Sequence, residues 1–199
     1  MENDISAILL AAGLSSRMGK PKLLLPWGET TVLGQVVSTF AAAGVKDLIV
    51  VTGGAREQIE GMVTELGYKF PVRLVYNPQF EHGEMLSSIQ AGLATMDSKT
   101  RAALIGLGDQ PQVLEETIRD ICATFVRTKS PLVIPSFQNR RGHPWLVARP
   151  LWTGILALPS STTSRDFINT YAGKVEYISA DQSILQDLDT PADYERLRP

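Results

Sequence analysis

The stretch Leu9-Leu10-Ala11-Ala12-Gly13-Leu14-Ser15-Ser16-Arg17-Met18-Gly19, followed by Pro21-Lys22, decides the fold. An apolar run, Ile5 and Ala7 to Ala12, stops at a small, polar and basic loop that carries Arg17, Lys20 and Lys22. A buried strand feeding such a loop suits a polyphosphate, because small residues let backbone N–H groups approach and the cations neutralise charge. Two familiar phosphate loops are excluded. A Walker A motif needs four residues between its glycines and Ser or Thr after its Lys, whereas five separate Gly13 from Gly19 and Pro21 follows Lys20. No G-x-G-x-x-G follows the strand, so the dinucleotide fingerprint is missing as well.

Outward from this loop, apolar runs alternate with helical patterns. Val32, Leu33, Val36, Val37 and Phe40 recur at helical spacing, with Gly44 as a stop. Leu48–Val51 reads as a second strand ending at Thr52-Gly53-Gly54, and a helix from about Arg56 to Leu66 stops at Gly67. Val72–Tyr76 is a third strand and Ile89 and Leu93 mark a helix. Ala102–Leu107 is a fourth strand ending at Gly108-Asp109-Gln110-Pro111. A helix near Val113–Arg127 and a fifth strand at Leu132–Ile134 follow. The rhythm predicts an α/β fold, a mostly parallel twisted sheet with helices on both faces. From Phe137 the pattern loosens, and Gln138 to Pro144 reads as a turn or hairpin, a small late β insertion. In such sheets ligands sit beyond the carboxyl ends of the strands, so Ala12-Gly13, Thr52-Gly53, Asn77-Pro78 and Asp109 are expected to converge on one crevice.

A length of 199 residues with 44% hydrophobic content fits one domain, 1–199. A net charge of −2 argues against general nucleic-acid or membrane-surface binding and makes the basic cluster at Arg17 to Lys22 a local feature. The single cysteine, Cys122, falls on an apolar helix position and gives neither a disulfide nor a Cys-based metal site. The acidic start Met1-Glu2-Asn3-Asp4 runs straight into strand, and no apolar run is long enough for a membrane span, so the expected location is cytoplasmic.

Four places can carry chemistry. Asp109, at a strand end facing the basic loop, is placed to hold Mg²⁺, which prefers one or two carboxylates plus phosphate oxygens. An Asp opening a turn or capping the next helix is the plainer alternative. Asp187-Leu188-Asp189-Thr190-Pro191 puts two carboxylates on one side of an extended segment, where either can share a metal with Asp109. On spacing alone, helix capping by Asp189 or Thr190 comes ahead. Gly83 to Ser88 precedes a helix and can face a base or ribose, or simply cap. His143, beside Arg140 and Arg141, suits an anionic second substrate or a surface turn. No Ser-His-Asp or Cys-His arrangement is signalled, so covalent catalysis is not favoured.

These motifs, in order, resemble the nucleotidyltransferases that complete molybdenum cofactor, most closely the molybdenum cofactor cytidylyltransferase branch. The matching residues are Leu10 to Gly19, Lys22 to Pro26, Ala43-Gly44, Val50 to Gly53, Asn77-Pro78, Gly83 to Ser88, Gly108 to Pro111, Arg140 to Pro144 and Asp187 to Pro191. The resemblance implies a Rossmann-like nucleotidyltransferase fold. It also implies that Leu10, Ala11, Ala12 and Gly13 hold the nucleotide, with Arg17 and Lys22 on its triphosphate and Asp109 and Asp189 on Mg²⁺, Asp187 being the alternative ligand. Thr52, Gly53, Gly83 and Ser88 would line the base pocket, and His143 and Arg141 would face the acceptor. Ala12 favours CTP over GTP, because guanylyl members tend to carry a second glycine there. Two departures fall on the acceptor side. Pro159 to Asp166 replaces an expected Gly-Asp-x-Gly-Ala-Arg segment, keeping only its arginine, and Glu84 intervenes where Gly normally precedes position 85 directly.

The resemblance thus implies transfer of CMP from CTP to a molybdopterin-type acceptor with release of pyrophosphate, the product passing to a molybdoenzyme. The rival readings are a guanylyltransferase on the same cofactor, a sugar- or polyol-phosphate cytidylyltransferase, and a non-catalytic protein that delivers cofactor.

Overall fold

A computed structural model describes residues 4–159 and 161–199; the expectations placed on Met1 to Asn3 and on Ser160 lie outside the described residues. The strands are β1 (Ile5–Ala11), β2 (Pro26–Trp27), β3 (Thr30–Thr31), β4 (Leu48–Thr52), β5 (Val72–Tyr76), β6 (Ala102–Leu107), β7 (Leu132–Phe137), β8 (Arg140–Arg141), β9 (Trp145–Ala148) and β10 (Val175–Ser179). The helices are α1 (Val32–Ala42), α2 (Arg56–Leu66), α3 (Met85–Leu93), α4 (Glu115–Thr128), α5 (Trp152–Leu156), α6 (Ser164–Thr170) and α7 (Pro191–Leu197).

The main sheet runs β10-β7-β9-β6-β1-β4-β5, with β8 hairpinned onto β7 and β2–β3 forming a separate ribbon. β6, β1, β4 and β5 pair in parallel, whereas β9 is antiparallel to both β6 and β7. From β1 the chain steps outward to β4 and β5, then returns to β6 on β1's other side. The order therefore reverses between β1 and β6, where an open α/β sheet leaves a crevice at its carboxyl edge.

Alternation along β1 assigns the two faces. Ile5, Ala7, Leu9 and Ala11 join one buried cluster with Leu33 and Phe40 of α1 and Ile118, Cys122 and Phe125 of α4. Ile8 points the other way, into a second cluster with Leu86 and Ile89 of α3, Trp152 of α5 and Phe167 of α6. Cys122 is a core residue, and burial pushes its thiol up to about 12, which leaves it unreactive at neutral pH.

The late region keeps the expected hairpin and adds to it. Gln138 and Asn139 do form a turn, with φ of +49° and +63°, linking Phe137 to Arg140. But the chain then returns as β9, fully buried and wedged between β6 and β7. The hairpin thus stands as read, and it leads into a central strand that the sequence reading did not assign. Its four residues are apolar throughout because both faces are covered by helices, which removes the period-two signal.

Candidate active site

Three segments meet at the switch point. The first is the loop after β1, in which Ala12 and Gly13 give way to a 3₁₀ turn at Ser16–Met18 and a second at Lys22–Leu24. Leu23 and Leu25 are buried and anchor the second turn, and the Lys22 N–H donates to Ser15 Oγ at 3.3 Å, so the Lys22 side chain is aimed back at the sheet. The second is Gly108 to Pro111 after β6. The third is the loop before α7, which lies against the second. The Leu188 N–H donates to the Asp109 carbonyl, Gln110 Nε2 donates to Asp187 Oδ1 at 2.7 Å and to the Ile184 carbonyl at 3.3 Å, and Gln112 donates to the Gln186 carbonyl. Leu188 is fully buried, so Asp187 and Asp189, two positions apart, face away from it toward the crevice.

These contacts bring Lys22, Asp109 and Asp189 together. Lys22 Nζ lies 2.5 Å from Asp109 Oδ2 and 3.1 Å from Asp189 Oδ1, and Arg17 Nη2 lies 2.9 Å from Asp189 Oδ2. The capping alternative for Asp189 is resolved by Thr190, which caps α7 in a reciprocal box with Asp193 and leaves the Asp189 carboxylate to the site. Likewise α4 begins after Leu114, so Asp109 caps nothing. Burial pulls the Lys22 ammonium down, but the charges and hydrogen bonds of Asp109 and Asp189 outweigh it and hold the group above its ordinary 10.5. Burial also raises Asp187, reinforced by the negative charge of Asp109 and Asp189 and opposed by the Gln110 hydrogen bond and Lys22. Among the described residues no group of three or more His, Cys, Asp or Glu has metal-binding geometry. Two oxygen donors are nevertheless what a hard divalent cation takes from a protein when substrate phosphate and water complete its shell. Asp109 and Asp189 fit that role.

The crevice holds about 320 Å³ and is lined by Leu10 to Gly13, Lys22, Gly83, Ser88, Asp109, Asp187 and Asp189, together with Phe80, Glu84 and Met85. Gly53 sits behind this wall. A Cβ there would stand 2.6 Å from the Ala12 carbonyl oxygen and 2.7 Å from Phe80 Cβ, so only glycine allows the two loops to close. Thr52 is fully buried, with its hydroxyl toward the Val75 carbonyl, and its side chain is not on the crevice wall. Phe80 went unread in the sequence; an aromatic three residues after the buried Asn77, in a loop at the ligand edge, was the available signal.

The acceptor-side residues are placed differently. Arg141 is exposed and tied to Tyr177 Oη at 2.8 Å and Asn169 Oδ1 at 2.8 Å, at the β10 edge. His143 precedes β9 and donates its N–H to the Ile184 carbonyl, next to the loop that carries Asp187. The residue is half-buried, but its Nε2 is sealed without a partner among the described residues, and burial pushes the imidazole down to about 4. It is neutral at pH 7, so any part it plays is through hydrogen bonding and not charge. In the altered segment, Thr163 and Asp166 form a capping box that starts α6, and Ser164 Oγ reaches Met85 Sδ on the crevice rim at 3.8 Å.

A parallel sheet whose switch point presents a small-residue loop to a carboxylate–lysine cluster defines an enzyme of the nucleotidyltransferase type. The chain belongs to the MobA-like NTP transferase domain family, whose model matches residues 7–175. It is 27% identical to the molybdenum cofactor cytidylyltransferase of Escherichia coli K12, over 96% of this chain and 93% of that one. It is 29% identical to the nicotine blue oxidoreductase of Paenarthrobacter nicotinovorans, over 97% and 96%. Among solved structures, Rv0371c of Mycobacterium tuberculosis H37Rv superposes with a TM-score of 0.82 at 28% identity, over 98% of this chain and 97% of that one. A complex of the same protein with manganese gives 0.76 at 27% identity, with the same coverage.

Proposed function

We propose that this protein transfers CMP from CTP to the phosphate of a molybdopterin-type acceptor and releases pyrophosphate. The observation that carries the reading is Lys22, held between Asp109 and Asp189 at the end of the β1 crevice. The nucleotide lies along Leu10 to Gly13, its triphosphate toward Lys22 and Arg17 and its base toward Gly53, Gly83 and Ser88. An oxygen of the acceptor phosphate attacks the α-phosphorus, the bond from that phosphorus to the bridging oxygen breaks, and pyrophosphate leaves. Alignment and charge neutralisation suffice for this step, so no covalent nucleophile is required. Asp109 and Asp189 would hold a divalent cation such as Mg²⁺, which would supply further charge neutralisation when bound; the manganese complex of Rv0371c supports a divalent cation in this fold. Lys22 is kept protonated by the two carboxylates and stays cationic through the reaction.

Ala12 and the Escherichia coli relative support CTP and molybdopterin as substrates. In this reading His143 meets the acceptor as a neutral hydrogen-bonding group once the packing that seals its Nε2 opens, and Arg141 reaches the acceptor only by leaving Tyr177 and Asn169. The oxidoreductase relative shows that whole-chain similarity within this family does not dictate chemistry, and the carboxylate–lysine cluster favours nucleotidyl transfer. The reading places the protein in the cytoplasm, with a molybdoenzyme receiving the product; among the described residues no helix is long and apolar enough to cross a membrane.

Pyrophosphate release from CTP and from GTP, with Mg²⁺ and with or without molybdenum-loaded pterin, tests this. Pterin-dependent release from CTP is expected. Preference for GTP makes the protein a guanylyltransferase, and release only with sugar or polyol phosphates moves the acceptor. CTP binding without any turnover turns the protein into a delivery factor.

A further inference from the structure

Asn77, at the carboxyl end of β5, is fully buried and its hydrogen bonds have only one possible polarity. Its Oδ1 accepts from the Gln79 backbone N–H at 2.9 Å. A backbone N–H can only donate, so that atom is the amide oxygen and the other must be nitrogen. Nδ2 then donates to Ser87 Oγ and Ser88 Oγ, both at 2.9 Å. Ser87 passes its own proton to the Glu84 carbonyl at 2.9 Å. Ser88 has no such outlet: among the described residues nothing accepts its hydroxyl proton, and the residue lines the crevice.

We propose that Asn77 is a positioning residue that fixes the Ser88 hydroxyl as a hydrogen-bond donor toward the crevice, where it reads the 2-carbonyl oxygen of a pyrimidine base. With Asn77 donating to one of its two lone pairs, Ser88 is left with a hydroxyl proton that no described residue accepts, so a ligand atom that accepts is favoured over one that donates. This rests on the nucleotide reading above and goes beyond it by stating which polarity the pocket demands and which buried residue sets it.

The test measures dissociation constants for CTP and for ribose 5′-triphosphate, which has no base, by calorimetric titration of the full chain. Ser88→Ala should weaken CTP about fivefold, the range of one neutral hydrogen bond, and leave the baseless ligand within about twofold. Asn77→Asp replaces two donors by acceptors, so Ser88 turns its proton inward and presents a lone pair to the carbonyl; CTP should weaken roughly tenfold, again without the baseless ligand following. In the Ser88→Ala background, Asn77→Asp should add nothing for CTP. Asn77→Ser, which removes the amide donors without a charge, should weaken CTP by about threefold and gives the same comparison if the aspartate variant does not fold. Equal losses for both ligands, multiplicative losses in the double variant, or an unchanged Ser88→Ala each overturn the proposal. A wild-type protein that binds no nucleoside triphosphate overturns the functional reading and this inference with it, whereas CTP binding that Ser88→Ala does not alter overturns the inference alone.

Discussion

Replacing Lys22 by Met removes one charge from a cluster of four residues and leaves its size nearly unchanged. The side chains of Lys22 and Asp109 are only 14% and 17% exposed, so truncating this pair belongs near the buried limit, where an orphaned charge costs about 3–5 kcal/mol. Two features reduce that. Asp189, at 34% exposure, keeps Arg17, and Asp109 retains some access to water. A loss of about 2 kcal/mol is the expected result, or roughly 4–8 °C in Tm for a domain of this size. The variant also vacates the position between Asp109 and Asp189, where a divalent cation can then enter without displacing an ammonium. At a hundred times its dissociation constant such an ion returns about 2.7 kcal/mol. Thermal unfolding at low salt should therefore show Lys22→Met depressed in chelator and restored by Mn²⁺, while the wild-type protein without nucleotide responds little. Arg17→Met is the control, since its guanidinium is 70% exposed and its ion pair is worth at most about 1 kcal/mol. If Lys22→Met unfolds within about 1 °C of wild type and both respond alike to Mn²⁺, the cluster does not have the energetics assigned to it.

Asp109→Asn keeps the shape of the site and removes a charge, and should lower pyrophosphate release by roughly a hundredfold or more; near-normal turnover would dismiss its role in metal binding. Gly53→Ala places a methyl 2.6 Å from the Ala12 carbonyl and 2.7 Å from Phe80. Urea denaturation should show a loss of about 1–3 kcal/mol, and nucleotide titration a parallel loss of affinity. Asp187 has its folded pKa raised above 3.8, so its favourable contribution is present below that value and disappears as pH rises through the folded pKa. Asp187→Asn, which can still accept from Gln110, should thus be more stable than wild type at neutral pH. The gain should shrink below pH 4, as denaturant midpoints across that range will show.

The parallel core was legible because each strand and helix had a strong period and clear stops: Arg56 to Leu66, Val72–Tyr76 and Ala102–Leu107 stand where the sequence put them. So was the convergence of Gly13, Gly53, Asn77 and Asp109 on one edge, which follows from parallel topology alone. β9 was not, since four apolar residues buried on both faces carry no alternation, and an antiparallel strand can enter a parallel sheet without a crossover helix to announce it. The choice between capping and ion pairing at Asp189 was open for a similar reason. Thr190-Pro191 signals a helix start, but whether the acid before it is consumed there depends on a lysine 167 residues away. His143 shows the converse. The sequence offered it as a contact for an anionic acceptor or as a surface turn; its neutrality was not legible, because burial of Nε2 depends on segments distant in the chain that pack around it.

The loop that docks Asp187 and Asp189 beside Asp109 is held by a few hydrogen bonds from Gln110, Gln112 and Leu188, and by one buried leucine. The sheet beneath it closes through strand ladders and two helical layers. Such a segment opens at a smaller free energy than the core and closes after it, since its partners are distant along the chain. Folding and competence are therefore separate events in this molecule. A chain can complete its sheet, expose no aggregation-prone edge at β1 or β6, and still hold Lys22 and Asp109 without their third partner. Slow amide exchange across β1 and β6 alongside fast exchange at Leu188 would be the signature of that ordering, and activity would follow the loop, not the global unfolding transition.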